Sequence, residues 1–64
     1  MNYFISYTYY FEGKRLGNIV VALPYEITVR NLRNVEDMVE EEVKKELGID
    51  GDIHLVILNF IRID

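Results

Sequence analysis

The sequence predicts an α+β domain of order β-β-α-β: a three-stranded antiparallel sheet, strand order 2-1-3, with one helix packed on one face. Three observations carry this expectation. The opening and closing segments alternate with a period of two and are rich in β-branched and aromatic residues. A glycine-marked turn joins the opening segment to a second one of the same kind. Between the second and last segments, apolar residues recur at spacings of three and four, bounded by a capping residue and a glycine.

The first strand is expected from Asn2 to Glu12, with Tyr3, Ile5, Tyr7, Tyr9 and Phe11 on one face. Phe4, Ser6, Thr8, Tyr10 and Glu12 fall on the other, because successive side chains of a strand point to opposite sides. Glu12-Gly13-Lys14-Arg15-Leu16-Gly17 reads as a hairpin loop, its glycines supplying positive φ. Asn18 to Leu23 follows as the second strand and ends at Pro24, which has no N–H for a ladder. In Tyr25–Arg33 the alternation of Tyr25, Ile27 and Val29 with Glu26, Thr28 and Arg30 fits either a short extra strand or an extended crossover.

Asn34 is the expected N-cap of a helix from Val35 to Leu47, with Asp37 in the place of the capping-box glutamate. Val35, Met38, Val39, Val43 and Leu47 form its apolar stripe. Glu36 and Asp37 near the start, and Lys44 and Lys45 near the end, complement the helix dipole. Gly48 suits the left-handed C′ position, and Ile49 the hydrophobic contact that accompanies it. Asp50-Gly51-Asp52 turns the chain into the third strand. Strict alternation there puts Ile53, Leu55, Ile57, Ile61 and Ile63 on one face and Val56, Leu58 and Phe60 on the other. A right-handed crossover lays this strand antiparallel beside the first; parallel pairing with the second is the alternative. Either way two sheet edges stay open.

The 64 residues make one domain, residues 1–64. A chain this short buries only about 60% of its unfolded surface and commonly needs a disulfide, a metal or a second copy. With no cysteine and a single histidine, His54, oligomerisation is the staple left. No apolar stretch approaches the ~20 residues that span a bilayer, and no basic region followed by an apolar run opens the chain. A soluble cytoplasmic protein without a membrane partner is expected. The net charge of −4 argues against a duplex-binding protein.

No residue set forms a catalytic, metal or nucleotide motif, so neither an enzyme nor a cofactor is expected. Glu40-Glu41-Glu42 with Glu36, Asp37 and Glu46 reads as a solvated helix face. His54 has no nucleophile in its sequence context. Gly13 and Gly17 precede no helix and no Gly-Lys-Ser/Thr, so they are not a phosphate loop. Asn59 interrupts the face of Ile57 and Ile61 and, if buried, needs partners for its amide. Tyr3, Tyr7, Tyr9 and Tyr10 suggest two uses: core packing under the helix, or a stacking platform for single strands assisted by Lys14, Arg15, Arg30 and Arg33.

Tyr3-Phe4-Ile5-Ser6-Tyr7, Gly17-Asn18-Ile19-Val20, Val35-Glu36-Asp37-Met38-Val39 and Val56-Ile57-Leu58-Asn59-Phe60 mark a pattern that runs over nearly all 64 residues. This pattern resembles short proteins encoded by phages and prophages of Gram-positive bacteria. The resemblance implies a phage-borne accessory protein acting in the host cytosol, with a host protein as partner, and carries no functional residues across.

One helix covers only one side of the sheet. We therefore expect a homodimer formed through the uncovered face, with Phe4, Tyr10, Val20, Val56, Leu58 and Phe60 as the interface, or by edge pairing. Should the helix cover that face, the tyrosine-rich face takes its place. Burying about 600 Å² of apolar surface would contribute on the order of 15 kcal/mol before association costs. The expected function is a non-enzymatic accessory protein that self-associates and binds another protein to modulate it. The alternative is a small nucleic-acid-binding module using the tyrosine face and the loop cations.

Overall fold

A computed structural model describes residues 1–64. Strands β1 (Asn2–Tyr10), β2 (Lys14–Ala22) and β3 (His54–Arg62) form one antiparallel sheet in order β2-β1-β3, and helix α1 (Leu32–Leu47) crosses between β2 and β3. The expected architecture and strand order are therefore the observed ones. The helix lies on the face of Tyr3, Ile5 and Tyr7, where its stripe Val35, Val39 and Val43 is buried against them, with Leu23, Ile27, Ile53 and Leu55 completing the core.

The hairpin is tighter than expected. Tyr10 already pairs with Lys14, so the turn is Phe11-Glu12-Gly13, with positive φ at Glu12 (54°) and Gly13 (111°). Lys14, Arg15, Leu16 and Gly17 belong to β2 and not to a loop. Gly17 is there for a packing reason: a Cβ on it would lie 2.7 Å from the hydroxyl end of Tyr7, whose ring crosses its backbone. Of the two glycines, Gly13 serves the turn and Gly17 leaves room for an aromatic ring.

The helix starts a turn earlier than Asn34, with Asn31 at its cap and the Val35 amide donating to the Asn31 carbonyl. The Asn31 side chain serves the preceding segment instead. Its Oδ1 accepts from the Thr28 amide and its Nδ2 donates to the Glu26 carbonyl, both at 2.8 Å. Tyr25–Arg33 is thus an extended crossover and turn running into the helix, and holds no strand. It is pinned by buried Ile27, whose amide donates to the Tyr3 hydroxyl at 3.1 Å. At the other end Gly48 is left-handed (φ 66°), Ile49 donates to the Lys44 carbonyl, and Leu47 is exposed and not part of the stripe.

The largest departure is in β3. Ser6 opposes Asn59 while Tyr7 opposes Ile57, so Leu58 is an extra residue and β3 carries a bulge. Every residue beyond it changes sides relative to strict alternation. Phe60 joins the helix side opposite Ile5, with its ring edge-on to Tyr3 at a centroid distance of 6.1 Å. Asn59 and Ile61 move to the open side, opposite Ser6 and Phe4.

Candidate interaction surface

The sheet face away from the helix gathers several exposed apolar side chains. Its rows follow from the register: Phe4, Ser6, Thr8 and Tyr10 on β1; Leu16, Asn18, Val20 and Ala22 on β2; Val56, Asn59 and Ile61 on β3, with Leu58 at the bulge. Of the expected interface residues, Phe4 is half-buried, while Tyr10, Val20 (58% exposed), Val56 and Leu58 (59% exposed) stand open on this face. Phe60 does not, because the bulge turns it under the sheet; Ile61 and Leu16 take its place. Only Thr8 in this group is buried, its hydroxyl donating to the Arg15 carbonyl at 2.9 Å.

The two edges of the sheet are unlike. On β3 three of the amides that point away from β1 are met by side chains of the same chain, and the fourth, Arg62 at the strand end, is not. Leu55 N–H donates to Glu40 Oε1 at 3.1 Å and Ile57 N–H to Glu36 Oε2 at 2.9 Å. Past the bulge, Phe60 N–H donates to Asn59 Oδ1 at 2.9 Å. The helix runs closest to β3, and one turn separates Glu36 from Glu40, so the two carboxylates step along the edge in register with alternate amides. Read from sequence as solvated, these two glutamates are structural acceptors. Their signal was positional: each follows a buried valine, Val35 and Val39, on the helix flank turned to the last strand.

On β2 nothing comparable exists. The Leu23 amide donates to the Met1 carbonyl and the Phe11 amide to the Gly13 carbonyl, so the odd-numbered residues between them face β1. Alternation turns the N–H and C=O of Lys14, Leu16, Asn18, Val20 and Ala22 outward, and no group of the chain pairs with any of them. No residue of β2 is buried.

The structure assembles no cluster of His, Asp or Glu that could hold a metal. His54 is exposed at the start of β3, opposite Tyr10. Tyr3 and Tyr7 are buried under the helix and Tyr9 packs beside Tyr7 at 6.0 Å, so only Tyr10 of the aromatic group reaches the open face. Arg33 pairs with Glu36 and Asp37 on the helix. The single concavity, an open depression of about 500 Å³, lies at the helix C-terminus and is lined by polar residues such as Glu41, Lys45 and Asp50. No helix is long and apolar enough to cross a membrane. No protein-family model, curated protein or solved structure matches the chain.

Proposed function

We propose that the protein is a non-enzymatic interaction module that self-associates and binds another protein through its uncovered sheet face. The observation that supports this most is the open face itself. On a chain of 64 residues, Tyr10, Leu16, Val20, Leu58 and Ile61 remain more than half exposed on one side of one sheet. Exposed apolar side chains gathered on one sheet face, here on both sides of the polar row Asn18–Ser6–Asn59, mark contact sites on small domains. The polar depression at the helix end lacks the apolar walls of a substrate pocket, Ile49 being its one hydrophobic lining residue. The resemblance to phage-borne accessory proteins, which implies no assigned activity, makes a host protein the second partner in this reading.

Molar mass by light scattering across a dilution series tests the self-association. We expect twice the chain mass of 7.6 kDa at high concentration, falling toward the monomer on dilution. A monomer at every concentration would contradict the reading.

A further inference from the structure

We propose that the second copy joins along β2, antiparallel about Asn18, so that two three-stranded sheets become one six-stranded sheet. This rests on the self-association proposed above and specifies its geometry. Three features lead to it.

First, β2 is the edge with unpaired backbone: the groups of Lys14, Leu16, Asn18, Val20 and Ala22 all point outward over a nine-residue strand. Proteins usually blunt such an edge with proline, a bulge, a covering element or rows of charge. β2 has no proline and no bulge, and Lys14 is its one charge among the outward residues. Second, this edge is complementary to itself. Asn18 is the middle residue of Lys14–Ala22, so an antiparallel copy places Asn18 opposite Asn18, Leu16 opposite Val20 and Lys14 opposite Ala22. Each of these is a pair whose N–H and C=O groups already face the partner. The two Lys14 residues end up at opposite ends of the seam, about 27 Å apart at the strand rise. On the helix side Gly17 meets Ile19 of the other copy, with the Tyr7 ring of its own chain lying over the Gly17 backbone.

Third, the other edge is closed. Addition of β2 to the β3 of a neighbour would be head-to-tail and would propagate without limit. Glu36, Glu40 and Asn59 occupy three of the four amides such a contact needs, all but Arg62 at the strand end. One open edge per copy ends the assembly at two. The dimer then carries two open faces side by side as one continuous surface for the partner protein.

Asn18→Pro tests the seam. It deletes an outward N–H that the intrachain ladder does not use, it follows Gly17, whose lack of a Cβ tolerates a following proline, and it removes no apolar side chain from the open face. Leu58→Glu is the counterpart that charges the face and leaves the edge intact. We expect Asn18→Pro to halve the molar mass and Leu58→Glu to keep the dimer. A dimeric Asn18→Pro with a monomeric Leu58→Glu would overturn edge pairing in favour of face-to-face association and leave the proposed function standing. A monomeric wild type would overturn both. If Asn18→Pro fails to fold, a mixed labelled and unlabelled wild-type dimer decides: an intermolecular Gly17 Hα–Ile19 Hα nuclear Overhauser effect supports the seam, and its absence overturns it.

Discussion

The two outer strands of this sheet have the same length and pair with the same central strand, yet they are finished differently. Along β3 a helix lies close enough for two glutamates to take up the outward amides, and a bulge lets Asn59 take up a third. Along β2 the outward backbone groups are left to solvent. Leucine shows the contrast at single-residue scale: Leu55 on β3 is 1% exposed and Leu16 on β2 is 73% exposed. A sheet with one sealed and one open edge is suited to limited association, because a strand can be added on one side only.

Replacing the same residue type on both edges should therefore separate them most. Leu55→Ala should cost about 2–5 kcal/mol of stability, the range for a fully buried leucine. Leu16→Ala should stay within about 0.5 kcal/mol when both are measured by urea denaturation in dilute solution. Equal losses would mean that β2 is covered in the monomer after all.

Opening the sealed edge is the next largest change. Glu36→Ala with Glu40→Ala removes two charge-assisted acceptors and should cost about 2–4 kcal/mol together. It should also turn dimers into larger species, because both edges are then available. Glu36→Gln with Glu40→Gln retains an amide oxygen at each place and should retain most of the stability and the dimer. Glu41→Ala and Glu42→Ala, from the same acidic run but exposed, should be close to neutral.

That acidic run shows how far the residues alone could be read. Strand order, helix and chain reversal were legible because they rest on local patterns: alternation in β1, the valine stripe of α1, and left-handed Gly48. The roles of Glu36, Glu40 and Gly17 were not, since each depends on a neighbour brought close only by folding. Gly17 looks like a turn glycine until the Tyr7 ring is seen lying across it. The face of Phe60 was misjudged for a different reason. A bulge inserts one residue without any Gly or Pro to announce it, and strict alternation then assigns every later side chain to the wrong side.

Gly17→Ala should accordingly cost about 1–2 kcal/mol, since the Tyr7 ring has to shift. Combining it with Tyr7→Ala should cost less than the sum of the two single changes, because the clash is then gone. The smallest effect concerns pH. Burial, aided by the nearby Tyr9 and Glu46, raises the Tyr7 hydroxyl above its ordinary value of 10.0. The unfolded chain therefore loses this proton first, so the contribution is complete below pH 10.0 and fades as pH rises through the folded value. Stability of the wild type should fall more steeply above that pH than stability of Tyr7→Phe.

Amide hydrogen exchange resolved by residue, at a concentration where light scattering gives the dimer and again after dilution, tests the edge asymmetry most directly. The Leu55 and Ile57 amides should be slow under both conditions, because their acceptors belong to the same chain. Those of Lys14, Leu16, Asn18, Val20 and Ala22 should be slow in the dimer and fast in the monomer. Fast exchange of the β2 amides in a proven dimer would contradict pairing along β2.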